Sequence, residues 1–88
     1  ISQIPVKEDE IFVGSLSDHH IYKQILDNPS IKQQSVESVM DKPFPEVNGE
    51  DSINKVSQHF DKNTRAVIVN YGDNNSHIIT LQDLADNI

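Results

Sequence analysis

The sequence contains no cysteine and no tryptophan among its 88 residues. Without cysteine there can be no disulfide framework, thiolate metal site or cysteine nucleophile, so the covalent staples common in very small domains are excluded. Aromatic residues make up 6% of the chain; any core is therefore aliphatic, and the many Ile and Val residues favour sheet as part of it. Basic residues are scarce as well. Seven Lys and Arg stand against fourteen Asp and Glu, a formal net charge of −7 with a pI near 4.8. Binding to nucleic-acid phosphates and anionic lipid surfaces rests on clustered Lys and Arg, so both roles are disfavoured. No apolar run reaches the length of a spanning helix, and the N-terminus lacks the basic and apolar regions of a signal peptide. The chain is expected to be soluble and cytoplasmic. At 9.9 kDa it is too short for a complete large enzyme, and its opening on Ile1 rather than Met suggests a piece of a longer polypeptide.

What is present falls into short segments. Two apolar runs, Ile1 to Val6 and Ile11-Phe12-Val13, flank the charged turn Lys7-Glu8-Asp9-Glu10 and read as paired strands. From Ser17 the period changes, with Ile21 and Ile25 at helical spacing until Asn28-Pro29 stops the segment. Residues 30–34 read as a polar linker, and Ser35 is placed to cap a helical turn through Val36, Val39 and Met40. Pro43 and Pro45 make the next stretch extended, and Asn48-Gly49 turns the chain. Ile53, Val56 and Phe60 then predict an amphipathic helix, Ala66 to Val69 a buried strand and Ile78-Ile79 its antiparallel neighbour. Leu81, Leu84, Ala85 and Ile88 form the stripe of a last helix.

One offset relates the two ends of the chain without a gap. Ser17 and Thr80 are 63 positions apart, and the same offset pairs Ile4 with Val67, Val6 with Val69, Leu16 with Ile79, Ile21 with Leu84 and Ile25 with Ile88. Two copies of one unit are predicted: a second, complete β-α-β-β-α copy over residues 35–88, and a β-β-α half-copy over residues 1–29. The counterpart of Phe44 to Phe60 is then expected upstream of Ile1.

A repeated unit of this order, mixed α+β or α/β in class, resembles the CBS domain. The likeness is carried by Val36-Glu37-Ser38-Val39-Met40 before Phe44-Pro45-Glu46-Val47, by Ala66 to Val69, and by Ile78-Ile79-Thr80-Leu81-Gln82-Asp83-Leu84. In the half-copy it is carried by Ser2 to Val6 and Val13 to Ser17. With the segment Tyr22 to Pro29, the chain looks most like the C-terminal regulatory pair of cystathionine β-synthase-type enzymes. The resemblance implies a module that senses rather than catalyses, in which units pair and their clefts take S-adenosylmethionine, AMP, ADP or ATP. It also implies a homodimer and an attached catalytic domain, pyridoxal-phosphate-dependent if the parent is the synthase.

By the same resemblance Thr80-x-x-Asp83 is the ligand-binding motif. A carboxylate can accept both hydrogen bonds of a ribose diol, and a hydroxyl at a helix start lies beside free N–H donors. The residues alone support a second, compatible reading as a helix capping box. The first-copy equivalent, Ser17-x-x-His20, puts an imidazole where the carboxylate should be, and imidazole cannot clasp a diol, so that cleft is expected to be degenerate. The resemblance further assigns Ser2, Gln3 and Ile4 to the ligand site, Gln3 toward a methionyl group, and Ile4 and Ile78 to the adenine. Asp18-His19-His20 only superficially resembles the DHH phosphoesterases, and His59 and His77 add no metal-ligand spacing. An alternative function is oligomerisation without a small ligand.

Overall fold

The computed structural model describes residues 3–72 and 75–86. Contacts divide the chain after Pro43 into two compact units, Ile1–Pro43 and Phe44–Ile88.

In the first unit β1 (Gln3–Glu8) and β2 (Ile11–Ser17) form an antiparallel hairpin, followed by helix α1 (Asp18–Asp27), a 3-10 turn (Pro29–Gln33) and the short helix α2 (Val36–Val39). The hairpin closes through two residues, Asp9 and Glu10, both at positive φ (49° and 70°). A two-residue turn of this hand matches the twist of the strands, although neither residue is the Gly or Asn that usually adopts it. Lys7 and Glu10 pair across it at 3.4 Å. Each helical segment starts on an oxygen-bearing side chain that accepts from a backbone N–H three or two residues on: Ser17 from His20, Asn28 from Ser30 and Ser35 from Ser38.

The segment 36–43, which the repeat assigns to the second copy, packs with the first unit. Asp41 forms a bridge with Ser15 of β2, its N–H donating at 2.8 Å and its carbonyl accepting at 3.0 Å. The Ser15 hydroxyl donates to the carbonyl of Lys42 at 2.6 Å. Gly14 makes the approach possible, because a Cβ there would overlap the Met40 sulfur.

The second unit is a three-stranded sheet in the order β3 (Glu46–Asn48), β4 (Ala66–Asn70), β5 (Ser76–Thr80), with helix α3 (Ile53–Ser57) between β3 and β4 and helix α4 (Leu81–Asp86) after β5. The β3–β4 pair is parallel and the β4–β5 pair antiparallel. That is the predicted β-α-β-β-α order. Its core is aliphatic: Val47, Val56, Val67 and Val69 are buried together, with Phe60 and Ile79 packed against them. Helix α3 stops at Ser57, short of the predicted stripe, and Ile53 at its start is 66% exposed. The apolar face therefore comes from Val56 in the helix and Phe60 beyond it.

The repeat predicted from spacing is present in the strand registers. Gln3 faces Ser17, Ile4 faces Leu16, Pro5 faces Ser15 and Val6 faces Gly14. Adding 63 to each gives Ala66 facing Thr80, Val67 facing Ile79, Ile68 facing Ile78 and Val69 facing His77, the register observed in the second unit. A bulge between Val6 and Lys7 ends the correspondence on one side.

Candidate ligand-binding site

Thr80 is the last residue of β5 and Asp83 lies in the first turn of α4. The backbone N–H of Thr80 donates to Asp83 Oδ2 at 2.8 Å, the Thr80 hydroxyl donates to the same oxygen at 3.1 Å, and the N–H of Asp83 donates back to Thr80 Oγ1 at 3.3 Å. This is a reciprocal capping box with Asp in the position usually held by Glu. The capping reading is thus realised. Its effect is to fix the carboxylate: Asp83 is exposed while Thr80 is half-buried, so a negatively charged acceptor is held at the surface in one orientation. The Thr80 hydroxyl has spent its proton on Asp83 and one lone pair on an N–H, which leaves it an acceptor toward any ligand.

In the first unit the Ser17 hydroxyl accepts from the N–H of His20 at 3.2 Å, half of the same box. His20 returns no bond to Ser17; its Nδ1 lies 2.6 Å from Asp41 Oδ2. The residue that departs from the repeat is therefore turned to the segment after α2 rather than presented as a diol acceptor.

The remaining predicted residues are placed by their strands. Ile78 is half-buried in β5 opposite Ile68. Gln3 is half-buried in β1 opposite Ser17, and Ile4 is 51% exposed opposite Leu16. Ser2 lies outside the described residues. The structure thus brings Thr80 and Asp83 into hydrogen-bond contact and sets Ile78 two residues before Thr80 on the same strand.

Sequence reasoning missed the role of Asp41, which bonds to both Ser15 and His20; it is 21 residues from His20, and no local spacing signals such a contact. It also missed the polar ladder across the second sheet, in which Asn70 donates to Glu46 at 2.9 Å and accepts from the Ser76 hydroxyl at 2.6 Å. Among the described residues no group of three or more His, Asp or Glu is arranged to hold a metal ion, and no helix is long and apolar enough to cross a membrane.

An antiparallel hairpin followed by a helix occurs in both units, with the strands in the same register, and in the second unit it completes a β-α-β-β-α order; together these define a repeated α+β architecture. The family model of the CBS domain matches residues 36–88, and the chain belongs to that family, whose modules are generally regulatory rather than catalytic. The crystal structure of a CBS-domain-containing protein from Agrobacterium tumefaciens is similar, with a TM-score of 0.77 at 19% identity, covering 99% of this chain and 71% of that one. At that identity the likeness is one of fold. No curated protein matches the chain in sequence.

Proposed function

We propose that the chain is a non-catalytic regulatory module that senses an adenosyl ligand, S-adenosylmethionine or AMP, ADP or ATP, and controls an enzyme attached to it, of cystathionine β-synthase-like type. The observation that carries this reading is the Thr80–Asp83 pair. A carboxylate held by two donors from Thr80 and exposed at the end of β5 is a preorganised acceptor for vicinal hydroxyls, with little orientation left to lose on binding. Ile78, two residues earlier, offers an aliphatic surface suited to a base. The absence of an equivalent carboxylate at His20 limits the chain to one such site. Occupancy regulates by shifting populations, to an extent set by the ligand's differential affinity for the two states.

Isothermal titration calorimetry with S-adenosylmethionine, AMP, ADP and ATP tests the reading. One of them should bind at 1:1 stoichiometry, and Asp83→Ala should weaken it at least tenfold while circular dichroism shows the sheet intact. Binding unchanged by Asp83→Ala removes the site assignment, and binding of none removes the sensing function. A second reading, a ligand-free oligomerisation module, is favoured by Tyr22 and Leu26, one turn apart on α1 and 66% and 65% exposed. Sedimentation equilibrium decides it: a stable monomer at high concentration removes it.

A further inference from the structure

The sequence holds one Asn-Gly dipeptide, Asn48-Gly49. Glycine has no side chain to hinder its nitrogen or restrict its backbone, so it is the residue that most readily lets a main-chain N attack the side-chain amide of a preceding asparagine. Both residues are exposed, and Asn48 faces Asn70 in the last pair of the parallel β3–β4 ladder. The dipeptide is clamped from both strands. The Gly49 N–H donates to the Asn70 carbonyl at 2.8 Å, the Asn48 N–H donates to Asp51 Oδ2 at 2.9 Å, and the Asp51 N–H donates to the Asn48 carbonyl at 3.0 Å. The Tyr71 ring lies so close to Gly49 that a Cβ there would overlap it. The nitrogen that would attack is thus tied to β4, and the extended backbone of β3 turns it away from the Asn48 side chain.

We propose that Asn48-Gly49 is a self-modification site, closed while β3 is paired and open when its end separates from β4. Separation breaks the Gly49–Asn70 bond and lets the Asn48–Gly49 peptide rotate. The Gly49 nitrogen, its proton given up to hydroxide, then bonds to Asn48 Cγ; the bond from Cγ to Nδ2 breaks, and ammonia leaves with a proton taken from water. Water adds to the resulting succinimide. Cleavage at Cγ gives aspartate and cleavage at the main-chain carbonyl gives isoaspartate, so the net change is water taken up and ammonia released, with no oxidation. Either product adds a negative charge to a segment that already carries Glu46, Glu50 and Asp51. Isoaspartate also lengthens the backbone by a methylene carbon, which puts Gly49 out of register with Asn70. A transient opening is thereby made permanent at the end of an edge strand, where a ladder opens most readily. The proposal is independent of the adenosyl reading.

The test incubates the 88-residue chain at mildly alkaline pH, in buffer and in denaturing urea. Position 48 is followed by peptide mass spectrometry and by labelling with an isoaspartyl methyltransferase. Isoaspartate should form there in urea, and at least tenfold more slowly in buffer. Asp51→Ala removes the acceptor of the Asn48 N–H and should speed the reaction in buffer about fivefold, the equivalent of one net hydrogen bond. Hydrogen exchange at the Gly49 amide should rise by the same factor. Because that substitution also removes a charge, low urea gives a second lever: in the unsubstituted chain both rates should climb together below the unfolding transition. Asn48→Gln, whose longer side chain closes a ring far more slowly, should abolish the label. The proposal is overturned if no isoaspartate forms at position 48 in urea, or if it forms equally fast in buffer. It is equally overturned if the rate in buffer fails to follow Gly49 exchange in either the Asp51→Ala chain or low urea.

Discussion

Replacing Thr80 by Ala removes a helix cap whose internal control lies 63 residues earlier. The Thr80 hydroxyl takes part in two of the three bonds in its box, donating to Asp83 Oδ2 and accepting from the Asp83 N–H; the third, from the Thr80 backbone, survives the substitution. Ser17→Ala removes one bond, the acceptance from His20 N–H at 3.2 Å. A hydrogen bond has a net worth of about 1 kcal/mol, and deleting a cap costs about 0.5–2 kcal/mol. Ser17→Ala therefore belongs near the bottom of that range, about 0.5–1 kcal/mol, and Thr80→Ala near the top, about 2 kcal/mol. Thr80→Ser keeps the hydroxyl and should retain most of the difference. Urea unfolding followed by tyrosine fluorescence can read the two units separately, because Tyr22 belongs to the first and Tyr71 to the second and Tyr→Phe at either isolates the other. With a slope of about 1 kcal/mol/M, Thr80→Ala should lower the Tyr71 midpoint by roughly 2 M and Ser17→Ala the Tyr22 midpoint by less than about 1 M. Equal shifts, or a Thr80→Ser chain as weakened as Thr80→Ala, would refute the reasoning.

Two further outcomes follow from the geometry. Asp51 is held below the ordinary carboxylate value of 3.8, first by the backbone N–H of Asn48 and then by Lys55, and Asp61 by the N–H groups of Asn63 and Thr64. A folded pKa below the unfolded one favours the folded state fully above the ordinary value, and the contribution is lost as pH falls from there through the lower folded value. Acid titration of the Tyr71 signal should thus show the second unit weakening below pH 4, with a shallower slope in Asp51→Asn and Asp61→Asn chains; an unchanged slope contradicts the assignment. The other concerns Gly14, where a Cβ would meet the Met40 side chain and come within 3.0 Å of the Asp41 carbonyl oxygen. The Met40 side chain can yield, but that carbonyl is tied to the Ser15 N–H, so Gly14→Ala should cost about 1–3 kcal/mol. Faster hydrogen exchange at the Ser15 and Asp41 amides is the expected signature, and unchanged protection would count against it.

The order of elements was legible because the apolar periods are strong: the run Ala66 to Val69 is buried at every position, and Ile21 and Ile25 line the inner side of α1 while Tyr22 and Leu26 are exposed. The repeat was legible for a related reason, since side chains alternate in a strand and one constant offset preserves every facing pair at once. Helix length was less legible. Ile53 is apolar yet exposed, because α3 spans only Ile53–Ser57 and five residues cannot bury a stripe that needs two turns. Leu81, also read as part of a buried stripe, is 38% exposed at the start of α4. The capping half of the Thr80–Asp83 reading needed only local spacing, whereas the Asp41 contacts depend on where a 3-10 turn and a one-turn helix return the chain.

That return explains one position, His20 against Asp83, where the two copies diverge chemically. In both units the third residue after the capping hydroxyl donates its N–H to that hydroxyl, so helix initiation leaves its side chain free to differ. In the second unit the side chain folds back and completes the cap as a carboxylate. In the first, the chain beyond α1 comes back along β2, and Asp41 arrives as the carboxylate. A second carboxylate at position 20 would then set two negative charges within hydrogen-bond reach, a repulsive arrangement in a chain already at net charge −7. His20 accepts that neighbour, its Nδ1 lying 2.6 Å from Asp41 Oδ2. Substituting His20 with Asp to restore the repeat should therefore loosen the Asp41 segment rather than create a diol-binding site in the first unit. Slower exchange at Asp41, or an adenosyl equivalent in calorimetry that the unsubstituted chain lacks, would show this account of the divergence to be mistaken.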